Sequence, residues 1–79
     1  THVLLVPKAH AANVTEADPA LVGYMLGKAG QIAAELGVRE KGFRLVINTG
    51  EDGGQTVQHL HIHLLGGKPM GWPPFPPEK

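Results

Sequence analysis

Cysteine is absent from the 79 residues, so neither a disulfide nor a thiolate zinc site can staple the chain. Net charge is absent too, because seven Lys and Arg balance seven Asp and Glu. That argues against a strongly basic nucleic-acid surface and against a binder of anionic membranes. No apolar run approaches the roughly 20 residues of a transmembrane helix, and no basic-then-apolar stretch reads as a signal peptide. These absences set the expectation of a soluble, cytoplasmic protein that engages neither nucleic acid nor membrane. The chain opens on Thr1-His2-Val3-Leu4-Leu5-Val6 without an initiator Met, which is expected of a fragment or a processed chain. At this length one domain is the most it can form, near the size where a single core becomes marginal. Homodimerisation is the simplest way to bury more surface.

What the chain does have is His59-Leu60-His61-Ile62-His63. Side chains of an extended strand alternate faces, so all three imidazoles are expected on one side. Leu60, Ile62 and Leu64 then point into whatever core the strand covers. Such a row of rings can attack phosphorus, shuttle protons or hold a metal.

The rest of the chain supplies a frame for that strand. Val3 to Val6 is a short apolar run ended by Pro7, predicting a buried strand. Asp18-Pro19 reads as a helix start, with Asp as N-cap and Pro at the first helical position. From Ala20 to Leu36, apolar residues Leu21, Met25, Ala29, Ile32, Ala33 and Leu36 recur at spacings of three and four, and Gly37 supplies the stop. Gly23, Gly27 and Gly30 weaken that helix by about 1 kcal/mol each relative to Ala, and their spacing suggests another backbone packing closely there, such as a second subunit. Phe43 to Thr49 predicts a second strand, Gly50-Glu51-Asp52-Gly53-Gly54 a turn, and Gln55 to Leu65 the histidine strand, most simply paired as an antiparallel hairpin. The proline-rich tail from Met70 to Pro77 excludes helix and central strand, and is expected to lie extended with Trp72 and Phe75 as anchors.

A neutral imidazole is a good nucleophile toward phosphorus and its cation a good general acid. His61, flanked by His59 and His63, is the best-placed nucleophile. The glycine-rich turn before it offers backbone N–H groups to phosphate oxygens, with Gln55, Thr56 and, across the hairpin, Asn48 beside it. The functional reading is phosphoryl or nucleotidyl transfer. A solvated histidine face on an edge strand is the plain alternative. A metal site is the other rival, although one straight strand gives poor tetrahedral geometry and no carboxylate lies beside the run. His2 and His10, taken singly, read as surface residues.

The run His59 to Leu65 fits the His-φ-His-φ-His-φ-φ pattern of the histidine triad superfamily. Thr1 to Lys8, Asn48-Thr49-Gly50, Asp52 to Val57 and Gly66-Gly67 through Trp72-Pro73-Pro74 resemble, in the same order, its nucleotide-binding branch. The resemblance implies an α+β fold: an antiparallel sheet with one long helix, the sheet continued across a homodimer. It also implies binding of purine nucleoside monophosphates and cleavage of phosphoramidates, without metal or cofactor. By position His61 resembles the nucleophile that forms a nucleotidyl-histidine intermediate. His63 resembles the phosphate-contacting histidine linked to leaving-group protonation, His59 helps orient the middle ring, and His2 matches a further histidine of the network. Asn48, Gly54, Gln55 and Thr56 resemble phosphate-binding and leaving-group contacts. Trp72 matches a tryptophan that reaches the partner subunit's active site. A related branch hydrolyses dinucleoside polyphosphates, but the Trp-Pro-Pro segment favours the phosphoramidases.

Two departures qualify the resemblance. Family members normally carry a preceding segment that contributes strands, the apolar base pocket and an acidic ribose contact. Residues 1–79 are therefore expected to be a single domain holding the C-terminal portion, with the phosphate half of the site but not the nucleoside half. The Phe75-Pro76-Pro77 extension is the second departure. Two other readings stay open: a non-catalytic nucleotide-binding or scaffold module, and a histidine metal-binding protein.

Overall fold

The computed structural model describes residues 1–74, so the expected anchor Phe75 and the Phe75-Pro76-Pro77 extension lie outside the described residues. Along the chain come β1 (His2–Leu5), α1 (Pro19–Glu35), β2 (Phe43–Val46) and β3 (Ile62–Gly66). The helix starts where its cap requires: the Asp18 carboxylate accepts from the Ala20 amide at 2.9 Å, with Pro19 next in line. It stops before Gly37, whose φ of +77° a side chain would strain. Met25, Ala29 and Ala33 are its buried face, flanked by half-buried Leu21 and Ile32. Leu36, expected on that face, is the C-cap residue and is 45% exposed. A Cβ built on Gly23, Gly27 or Gly30 would meet nothing within 4 Å, so among the described residues no backbone packs against them.

β3 is the middle strand of a three-stranded sheet ordered β1-β3-β2 and is antiparallel to both neighbours. The register pairs Leu4 and Val46 with His63, and His2 and Arg44 with Leu65. Cross-strand partners share a face. One face therefore carries Val3, Leu5, Phe43, Leu45, Ile62 and Leu64 and packs with the helix in the core. The other carries His2, Leu4, Arg44, Val46, His63 and Leu65. Leu60, Ile62 and Leu64 are at most 1% exposed, and burial of each contributes about 1.5–3 kcal/mol. The architecture is α+β, a helix layered on an antiparallel sheet.

β2 and β3 are shorter than the sequence predicts, while β1 keeps four residues but lies one position earlier, at His2–Leu5 rather than Val3 to Val6. β2 ends at Val46 rather than Thr49, and β3 begins at Ile62 rather than Gln55. The reason is competition for backbone partners. The Leu60 amide donates to the Ala11 carbonyl at 2.7 Å, so the approach to β3 is tied to the connection after β1 and not to β2. The in-and-out alternation from His59 to Leu64 survives without the full ladder.

Candidate active site

The histidines meet on the sheet face that the helix leaves open. His63 sits on the central strand, and His2, one residue pair along β1, reaches it diagonally: His2 Nε2 lies 2.9 Å from His63 Nδ1. The His61 ring stands edge-on to His63, with centroids 5.0 Å apart. His61 Nδ1 lies 2.7 Å from the backbone carbonyl of His59. The His59 ring turns the other way, with Nε2 at 3.2 Å from the Pro7 carbonyl and Nδ1 at 3.3 Å from His10 Nδ1. All five histidines of the chain thus form one run, in the order His2, His63, His61, His59, His10. Sequence reasoning missed His10, because a residue 49 positions from its partner carries no spacing signal.

The carbonyls settle where protons sit. A carbonyl oxygen only accepts, so His61 Nδ1 and His59 Nε2 are donors. Neutral His61 then presents its Nε2 lone pair, the form a nucleophile needs. Desolvation by burial, then the neighbouring His61 and His2 rings, hold the His63 pKa below the usual imidazole value. His63 is therefore neutral in the unliganded protein at pH 7. Neutral His63 has two tautomers here: Nδ1 donates to His2 and Nε2 is an acceptor, or Nδ1 accepts from His2 and Nε2 is a donor.

The turn before the triad is closed by its own hydrogen bonds. Gly50 and Gly54, at φ of +73° and +80°, shape a loop closed by bonds from Gly54 N to the Glu51 carbonyl and from Gln55 N to the Gly50 carbonyl, both 3.0 Å. Asn48 Nδ2 donates to the Gly53 carbonyl at 2.7 Å, leaving Oδ1 over. Gln55 is buried, and its amide donates to the carbonyls of Ala12 and Val57 while its Oε1 accepts from the Gly50 amide. Both its N–H groups are spent, so it shapes the loop and has no donor to offer a phosphate. Gly54 and Thr56 are exposed and Asn48 is half-buried. Trp72 is 83% exposed, and the tail just before it is held by Arg44 Nη2 donating to the Gly71 carbonyl at 2.9 Å.

No group of three or more His, Asp or Glu side chains suited to a metal ion occurs among the described residues. No helix among them is long and apolar enough to cross a membrane.

A helix behind a three-stranded sheet, with a row of histidines joined by hydrogen bonds and ring contacts in front, defines an α+β protein with an imidazole-lined site. The family model described as HIT domain matches residues 1–70. The chain is 53% identical over 76 residues to an uncharacterized HIT-like protein of Synechocystis sp., covering 92% of this chain and 66% of that one. Over 79 residues it is 43% identical to a Zea mays protein called a 14 kDa zinc-binding protein, covering 94% and 61% of the two chains. It is 40% identical over 74 residues to the purine nucleoside phosphoramidase of Escherichia coli, covering 90% and 62%. A solved HIT family hydrolase from Legionella pneumophila has a TM-score of 0.90 at 42% identity, over 95% of this chain and 70% of that one. The chain belongs to the HIT family. It spans between 61% and 66% of the length of those three relatives.

Proposed function

We propose that the protein is a purine nucleoside phosphoramidase, hydrolysing the P–N bond of a nucleoside 5′-phosphoramidate through a nucleotidyl intermediate on His61. The observation that carries this reading is the 2.7 Å contact between His61 Nδ1 and the His59 carbonyl. It keeps the proton on Nδ1, frees Nε2 for attack, and faces the positive charge that develops on the ring once Nε2 bonds phosphorus. The E. coli relative named for this activity supports the substrate class.

In this scheme His61 Nε2 attacks phosphorus. The bond to the leaving amine breaks as protonated His63 gives that nitrogen its proton. Water then attacks the nucleotidyl-histidine, His63 takes the proton, and the P–Nε2 bond breaks to release the nucleoside monophosphate. Free His63 is held neutral, so it must be loaded first. An anionic phosphate beside the ring favours the imidazolium; the substrate itself supplies that charge, and His2 shares the proton. Asn48, Gly54 and Thr56 contact the phosphate and leaving group, with Gln55 holding their loop. The same reading makes the protein a cytoplasmic homodimer whose sheet continues between subunits, with the exposed Trp72 serving the other subunit's site.

The test is incubation with adenosine 5′-phosphoramidate, following nucleotide release and intact mass. Wild-type protein should release the monophosphate and show a transient nucleotidyl adduct. His61→Ala should do neither while keeping its fold by circular dichroism. A wild-type protein without turnover, or a His61→Ala variant with full activity, would sink the proposal.

A further inference from the structure

His10 lies outside every expected part of the site, yet its ring is bonded to the triad. Two contacts hold the His59 ring. The Pro7 carbonyl takes the proton on Nε2, which leaves neutral His59 with a bare Nδ1. The partner 3.3 Å from that nitrogen is His10 Nδ1, and only a donor fits there. His10 is exposed, but its backbone is not free to wander. Immediately after it the Ala11 carbonyl accepts from Leu60 N and the Ala12 carbonyl from Gln55 Nε2, both at 2.7 Å. The connection after β1 is thereby stitched to the approach to β3 just after His10, and the Pro7 carbonyl ties it before His10.

We propose that His10 is a positioning residue: it donates from Nδ1 to His59 Nδ1 and, by clamping that ring against Pro7, fixes the His59 carbonyl that orients His61. The consequence for turnover rests on the reading of His61 as the nucleophile. The hydrogen bond itself does not. His10 touches no reacting atom. Its effect passes through His59 to the direction of the His61 lone pair, and small misalignments of an attacking group cost rate steeply.

Two substitutions separate donation from bulk. His10→Asn places an amide N–H about where the ring Nδ1–H stood, and His10→Leu keeps volume without a donor. Both are compared with wild-type protein by ¹⁵N resonances of the His59 ring, by kcat and KM on adenosine 5′-phosphoramidate, and by thermal unfolding. In wild type and His10→Asn the His59 Nδ1 signal should report an accepted hydrogen bond. His10→Leu should lose that signature and lower kcat about tenfold with KM nearly unchanged, while His10→Asn recovers most of the rate. The proposal is overturned if His10→Leu keeps wild-type kcat or the wild-type His59 signal, or if both variants lose rate equally. Should wild type show no turnover, the phosphoramidase reading fails alone; the His59 signal then decides, and an unchanged one in His10→Leu overturns the clamp.

Discussion

His63 sets the pH response expected of this chain. Its pKa is lowered by desolvation first, then by His61 and His2, whereas in the unfolded chain it returns to about 6.5. Between the lowered value and about 6.5 the unfolded state binds more protons, so stability rises with pH through that window and is fully present above it. Acidification through the window costs stability; below the folded value the loss is constant. Urea unfolding from about pH 5 to 8 should show this slope, and His63→Gln should flatten it. An unaltered slope in the variant would assign the effect elsewhere. A nucleoside monophosphate should move the His63 titration upward, as an anion beside an imidazolium must; a ¹⁵N titration with and without ligand reads the direction. The alternation of His59, His61 and His63 was legible at this scale because a period of two is a property of the backbone. Which ring nitrogen faces which carbonyl was not.

At the scale of elements, the loop from Asn48 to Gln55 and the strand after it carry different loads. Gln55→Ala leaves the Ala12 and Val57 carbonyls and the Gly50 amide without their partner. The expected loss is about 1–3 kcal/mol in denaturant unfolding, the range for a stranded buried polar group. Retention of full stability would mean water replaces the amide. In β3, Ile62→Ala or Leu64→Ala removes a fully buried side chain, and about 2–5 kcal/mol should go with it. The helix was readable to within a residue at each end, since Asp18, Pro19 and Gly37 act locally. The strand ends were not, because Leu60 chose a carbonyl far away in sequence over the neighbouring strand.

Seen whole, the molecule keeps apolar surface that its own helix does not cover. Leu4, Val6 and Tyr24 are 55%, 58% and 65% exposed, beside a groove of about 590 Å³ between β1 and α1. Trp72 is more exposed still. A dimer should therefore appear in sedimentation equilibrium, with a Tm that rises with protein concentration; a monomer at every concentration would remove the proposed continuation of the sheet. If Trp72 serves a site across that dimer, Trp72→Ala should reorder the preference among leaving groups more than it lowers turnover of the smallest one. An unchanged ranking across a series of phosphoramidates would count against it.

The residue pattern alone determined the helix, the in-and-out alternation of the histidine run and the antiparallel pairing of its C-terminal part with the strand that starts at Phe43, because caps, glycine stops and alternation are short-range properties of a chain. It also carried the likeness to the histidine triad family through contiguous words such as His59 to Leu65. Tertiary structure alone decided that His10 closes one end of the row, opposite the His2 that the family likeness had already marked. It also decided that Gln55 faces inward as a brace. Those outcomes depend on which carbonyl a donor meets once distant segments pack, and no local spacing encodes that meeting.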